Sequence, residues 1–210
     1  MSLPQHLVLF ARAPRRGSVK RRLAADIGPD AALAFYRRTL HDVGWRLGRD
    51  PRWTTWLSVT PDTDASNGAL WPCVPGLRRV AQGGGDLGAR MARPLRELPP
   101  GPVVIVGSDI PDVTRDQVAE AFVALGTHDM VFGPASDGGY WLVGARRRPM
   151  VPRALFENVR WGTACALGDT LAGLPRHFRV AQIATLDDID TGADLTAWQA
   201  RNRRGARDTA

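Results

Sequence analysis

Seven short apolar or β-branched runs alternate with six longer stretches of helical period, and few folds accommodate that order. The runs are 6–12, 54–60, 77–82, 102–109, 129–135, 140–145 and 179–185, and they are predicted to be strands. Helices are predicted over 19–27, 29–47, 86–98, 114–125, 163–174 and 191–201, with Pro29 in a first turn and Thr114 and Thr163 as N-caps. Strands alternating with helices give an α/β fold with a mainly parallel central sheet covered on both faces. The run PVVIVGSD at 102–109 is apolar at consecutive positions, as a central strand should be, and ligands of such sheets sit at the carboxyl ends of the strands. The pair at 129–145, broken by Ser136 to Gly139, is predicted to add antiparallel strands to this core.

With 210 residues and 44% apolar content the chain can bury one sizeable core, so a single domain over 1–200 is expected, followed by a disordered basic tail at 201–210. No stretch of about 18 apolar residues occurs, and the first residues lack the pattern of a signal peptide. A soluble, cytoplasmic protein that does not enter a membrane is expected. Cys73 and Cys165 stand apart from each other and from histidine, so both are expected to be buried thiols. The net charge of +7 is scattered along the chain and not gathered on one helix or tail, which fits small phosphorylated ligands and argues against nucleic acid. Lys20 is the only lysine among the 28 basic residues, so this site keeps a compact, mobile ammonium where arginine is the ordinary choice elsewhere.

The first strand leads into a loop broken by Pro14 and Gly17, then into a helix that begins with Lys20, Arg21 and Arg22. Backbone N–H groups, a helix N-terminus and several cations together suit a polyphosphate. A basic surface turn is the alternative, but arginines at a helix N-terminus oppose the dipole unless an anion joins them. The P-loop spacing is absent. At the end of the run 102–109, Asp109 stands where the sheet opens onto its crevice. It either caps the next turn or helix or holds a hard cation such as Mg²⁺ or Mn²⁺, and Thr114 already supplies the cap. The glycine-rich loop Gln82 to Gly88 is either a close backbone approach to a ligand or a turn in which Asp86 caps the next helix. Asp137, Gly138, Gly139 and Tyr140 form either a hairpin turn or part of a pocket. Asp187, Asp188 and Asp190 repel one another unless a cation is near, so Asp188 or Asp190 contacts a metal or else all three are solvated acids at a helix start. Trp161 either packs or stacks on a ligand.

Six blocks in order carry a resemblance: F-A-R-x-P-x-x-G-x-V-K-x-R-L (10–23), G-G-D-L-G-x-R-M (84–91), G-S-D-x-P (107–111), G-P-x-x-D-G-G-Y (133–140), W-x-T (161–163) and D-x-D-T-x-x-D-L (188–195). From about Leu7 to Trp198 the chain resembles the GT-A-superfamily nucleotide-diphospho-sugar transferase-like family, some of whose members are glycosyltransferase-like proteins of the arsenosugar-biosynthesis type. That family is in turn similar to 2-phospholactate and molybdenum-cofactor guanylyltransferases. Where its first block usually has threonine this chain has Arg21, so a hydroxyl contact to phosphate is replaced.

The resemblance implies a Rossmann-like GT-A three-layer sandwich. It implies that Ala11, Arg12, Gly17, Lys20, Arg22 and Ser108 hold nucleotide phosphates, and that Gln82 and Gly88 face the base. Asp109 and Asp190 would hold Mg²⁺ or Mn²⁺. Asp137, Gly138, Gly139, Tyr140 and Trp161 would line the pocket of the second substrate, with Lys20, Asp109 and Asp137 as catalytic residues. The expected activity is metal-dependent glycosyl transfer from a nucleotide-sugar to a small acceptor. Nucleotidyl transfer from a nucleoside triphosphate to a phosphorylated small molecule is the enzymatic alternative, and a non-catalytic nucleotide-binding protein is the alternative of another class.

Overall fold

A computed structural model describes residues 3–71, 74 and 76–208. In chain order the elements are β1 (Gln5–Arg12), α1 (Arg21–Ile27), α2 (Pro29–Gly48), β2 (Trp53–Thr60), β3 (Arg78–Ala81), α3 (Leu87–Glu97), β4 (Val103–Gly107), α4 (Arg115–Ala124), β5 (Met130–Pro134), β6 (Tyr140–Ala145), α5 (Ala166–Ala172), β7 (Val180–Gln182) and α6 (Gly192–Asp208). The strands make one seven-stranded sheet in the order β3-β2-β1-β4-β6-β5-β7. Every neighbouring pair is parallel except the two made by β6, which runs against β4 on one side and β5 on the other. Helices cover both faces, giving the α/β sandwich that the order of runs predicts and the Rossmann-like architecture that the resemblance implies.

Alternation along the central strands divides the core in two. Leu7 and Leu9 of β1 pack with Leu40 and Val43 of α2 and with Phe122 of α4. Val8, between them, faces the opposite layer with Leu95 of α3, Phe132 of β5 and Phe156. The long helix α2 buries Ala32, Tyr36, Leu40, Val43 and Leu47, a stripe spaced by three and four residues, and it begins with Pro29 and Asp30 where their missing N–H and negative charge suit a helix start. One side chain gathers carbonyls at the end of α3 and just beyond it. The Arg147 guanidinium donates to the oxygens of Arg96, Leu98, Pro99 and Gly101.

Four sequence expectations are corrected. The antiparallel component is one strand, and β6 lies inside the sheet, not added beside it. Gly144 permits this, since a Cβ there would come within 2.7 Å of a Val131 methyl and 3.0 Å of a Val104 methyl. The last helix does not end at 201: α6 runs from Gly192 through Asp208. Thr163 does not cap α5. Its hydroxyl donates to Arg160 O and accepts from Cys165 N one turn earlier, and Cys165 takes the N-cap position. Cys165 is half-buried and not fully buried, while Cys73 lies outside the described residues. Thr114 and Asp86 do cap α4 and α3. Among the described residues no helix is long and apolar enough to cross a membrane.

Because β6 reverses direction, the turn that joins it to β5 lies at the carboxyl edge of the parallel strands, beside the loops after β1, β4 and β7. Four segments distant in sequence therefore meet at one edge. The core model predicts that Phe132→Ala, which empties a wholly buried position, costs about 3–5 kcal/mol. Val123→Ala, at a position 76% exposed, should cost under about 0.5 kcal/mol. Equilibrium urea unfolding of the two variants checks this, and equal losses would contradict the assigned layers.

Candidate functional site

The loop after β1 is held from several sides. Arg15 makes a bidentate pair with Asp64 at 2.9 and 2.6 Å, and Arg16 binds Asp30 at 2.7 Å. The Ser18 hydroxyl donates to Arg15 O at 2.7 Å, and Gly17 takes the positive φ of 75° that closes the turn. From α2, the Tyr36 hydroxyl donates to Arg12 O at 2.9 Å and accepts from Arg12 N at 3.1 Å, with the Ser108 hydroxyl 3.2 Å away. One phenol thus joins the ends of β1 and β4. Burial pushes its pKa up to about 12, so it keeps the proton it donates.

Lys20 stands at the head of α1 in the left-handed conformation, with φ 45° and ψ 51°, which costs a non-glycine residue about 1–2 kcal/mol. Its ammonium lies 2.9 Å from Asp109, 3.0 Å from Asp188 and 2.8 Å from Asp190. The lysine side chain is only 3% exposed. Burial alone would pull its pKa down, but the three carboxylates outweigh burial and hold the ammonium protonated. The carboxylates respond differently. Burial, reinforced by the like charges of Asp109 and Asp190, pushes Asp188 up to about 6 against the pull of Lys20. Burial also works against Asp190, yet Lys20, Asp188 as hydrogen-bond partner and Arg22 hold it below the usual range.

Local structure explains the convergence. After β7 the chain stays extended along β5, with Ile183 N donating to Phe132 O and Leu186 N to Pro134 O. Ile189 is buried between two aspartates, so Asp188 and Asp190 share the opposite side. Asp187 turns away and accepts from Ser136 N at 2.8 Å and the Ser136 hydroxyl at 3.1 Å, fastening the β5–β6 turn to this segment. Thr191 and Asp194 cap α6 reciprocally, as the capping-box spacing predicts. The three clustered acids therefore do not act alike: one is a brace and two face the lysine.

Carboxylate oxygens of Asp109, Asp188 and Asp190 lie within 4.8 Å of one another. Such hard oxygen donors suit Mg²⁺ or Mn²⁺, and against one ammonium they leave two negative charges, matching a divalent cation. Two cavities meet at Asp109 and Leu87. A polar one of about 350 Å³ is lined by Arg12, Ser18, Lys20, Gln82, Arg90 and Ser108. The other, about 210 Å³, is lined by Asp137, Gly139, Tyr140, Trp141, Trp161 and Asp188. Tyr140 and Trp161 meet edge to face at 6.3 Å, and Phe156 supports Trp161 from behind.

Most of the predicted residues thus come together, with departures. Lys20 is enclosed by carboxylates and does not project freely from the first loop, because three converging negative charges attract the nearest cation. Arg22 stays exposed, 3.7 Å from Asp190. Gln82 reaches the polar cavity, but its amide donates to Ala11 O and Ser58 O at 3.0 Å and its carbonyl accepts from Arg90, so backbone and arginine already occupy its polar atoms. The Ala11 contribution is that same carbonyl. Gly88 does not face the polar cavity, and a Cβ there would lie 2.7 Å from Phe156 and 3.3 Å from Trp161. Gly138 lines neither cavity; its φ of 84° and a Cβ distance of 2.2 Å to Ala164 O make it a turn glycine under close approach. Sequence reading missed Arg90 and Tyr36. A phenol on the apolar stripe of α2 is indistinguishable in sequence from a core aromatic.

A search of curated proteins finds no match. Among solved structures, the chain is similar to a candidate nucleotide-diphospho-sugar transferase from Desulfovibrio desulfuricans G20, with 33% identity over 93% of this chain and 85% of that one and a TM-score of 0.83. The fold is also that of 2-C-methyl-D-erythritol 4-phosphate cytidylyltransferase from Thermus thermophilus, with 16% identity, 97% and 100% coverage and a TM-score of 0.52. It is shared too by the mannosyltransferase PcManGT from Pyrobaculum calidifontis, solved with GDP-Man and Mn²⁺, with 13% identity, 96% and 61% coverage and a TM-score of 0.53. The neighbours in fold are thus nucleotidyl- and glycosyltransferases. Residues 39–163 match the model of the family described as "Uncharacterized protein conserved in bacteria (DUF2064)", and the chain belongs to that family.

Proposed function

We propose that this protein is a metal-dependent glycosyltransferase that takes a nucleotide-sugar donor and a small acceptor. The observation that carries the reading is the meeting of a polar, arginine-lined cavity and an aromatic-lined cavity at Asp109, beside two further carboxylates. The polar cavity suits a nucleoside diphosphate: Arg12 and Arg90 offer charge, and Ser18 and Ser108 offer hydroxyls. The aromatic one suits a sugar ring, whose apolar face packs on Tyr140 and Trp161 while its hydroxyls meet polar groups. Bound by Asp109, Asp188 and Asp190, Mg²⁺ or Mn²⁺ would offset charge developing on a leaving diphosphate.

Asp137 is the proposed base. Its Oδ1 accepts from Gly139 N at 2.8 Å, which orients the carboxylate beside the aromatic cavity, where it takes the proton of the acceptor hydroxyl. Asp187 holds that turn in position through Ser136. Nucleotidyl transfer is the second reading, supported by the arginines of the polar cavity, which suit a triphosphate as well as a sugar diphosphate. Lys20, paired with three carboxylates, does not itself decide between the two readings.

Thermal-shift screening of nucleotide-sugars and nucleoside triphosphates, each with and without Mg²⁺ or Mn²⁺, separates the readings. A preferred nucleotide-sugar at 100 times its Kd should stabilise by about 2.7 kcal/mol in the presence of metal. Preference for a triphosphate would move the assignment to nucleotidyl transfer, and stabilisation by nucleotide without any effect of metal would favour a binding protein. Asp109→Ala should remove the metal dependence while circular dichroism stays unchanged, and full metal-dependent stabilisation of that variant would overturn the site. With a donor identified, Asp137→Asn should lower kcat about 10²- to 10⁴-fold with little change in donor KM. An undiminished kcat would exclude Asp137 as the base.

A further inference from the structure

Lys20 already does at this site what a metal ion would do, since its ammonium is centred on one oxygen from each of Asp109, Asp188 and Asp190 at 2.8–3.0 Å. An ion coordinated by those oxygens would lie about 2.1 Å from each, within the space the ammonium fills. Two cations cannot share that centre. We propose that Lys20 is a built-in competitor for the divalent ion, which displaces its side chain from the carboxylates into the neighbouring polar cavity. This inference rests on the proposed metal-dependent function and assigns Lys20 a role in it.

The surroundings give the displaced side chain somewhere to go. Lys20 itself lines the polar cavity with Arg12, Ser18 and Ser108, so its four-carbon stem need only swing about a backbone that is fixed by Ala24 N on Lys20 O at 2.8 Å. Arginine would serve less well, because its planar fork binds carboxylates in fixed pairs whereas an ammonium exchanges partners without a preferred orientation. In the cavity the ammonium is available to a donor's phosphates. Metal and phosphate then favour each other: the ion releases the lysine that phosphate needs, and phosphate holds that lysine off the ion's ligands. By linkage the coupling is reciprocal.

The chain's single lysine makes the proposal directly readable. Wild-type protein is treated with acetic anhydride at increasing Mn²⁺, the acetylated fraction of Lys20 is followed by peptide mass spectrometry, and bound Mn²⁺ is counted independently by electron paramagnetic resonance. Without metal, Lys20 is buried and ion-paired and should react slowly. Its acetylation should accelerate about tenfold or more in step with Mn²⁺ occupancy, in keeping with ordinary coupling strengths. In parallel, Lys20→Met should bind Mn²⁺ about tenfold more tightly than the wild type, because no competitor has to leave. Mn²⁺ that binds without changing Lys20 reactivity would overturn the displacement and leave the metal site standing. Absence of Mn²⁺ binding would overturn both. The wild-type measurement decides the question even if Lys20→Met fails to fold.

Discussion

Everything at the carboxyl edge of this sheet depends on one ammonium held by three carboxylates. Lys20 comes from the first loop, Asp109 from the end of β4, and Asp188 and Asp190 from the segment after β7, 168 and 170 residues away in the chain. Alone, a lysine this buried would tend to lose its proton, and three carboxylates this close would tend to gain one. Together each suppresses the other's penalty. The surplus of negative charge that remains is the electrostatic reason to expect a divalent cation, and the left-handed backbone at Lys20 is strain that the ion pairs offset.

Around this centre the protein uses its other polar residues as braces. Asp64 and Asp30 hold the arginines of the first loop, Asp187 holds the β5–β6 turn, and Tyr36 with Ser108 links the first and fourth strands from below. The arginines that remain at the cavity wall, Arg12 and Arg90, are the ones whose position suits an anionic ligand. A rigid frame that holds a few cations at the cavity wall is the arrangement expected where charge must be stabilised as it develops without a large reorganisation.

The strands and helices are legible in the sequence because each has its own period and the edges carry glycine, proline or capping residues. The placement of β6 is not, since the antiparallel insertion depends on Gly144 passing between Val131 and Val104, a contact between strands. The end of α6 is hidden because a run of arginines with Gly205 inside it carries no stop or continuation signal of its own. At the site, Asp109 is legible from its place after a central strand, and Asp190 from the repulsion of its acidic neighbours. That Lys20 binds these carboxylates is not, because nothing local to residue 20 announces residues 188 and 190. Tyr36 and Gln82 mark the same limit from opposite sides: Tyr36 has the sequence pattern of a core residue and serves the site, whereas Gln82 has that of a ligand contact and chiefly fastens backbone.

The central claim is that Asp109, Asp188 and Asp190 form the binding site of a divalent cation. Anomalous diffraction at the manganese edge, from crystals of the protein grown with Mn²⁺ and a nucleoside diphosphate, tests it most directly. The account predicts a single strong peak bounded by these three carboxylates, with diphosphate oxygens on its open side. A peak elsewhere on the protein, with the three carboxylates still closed around Lys20, would contradict it.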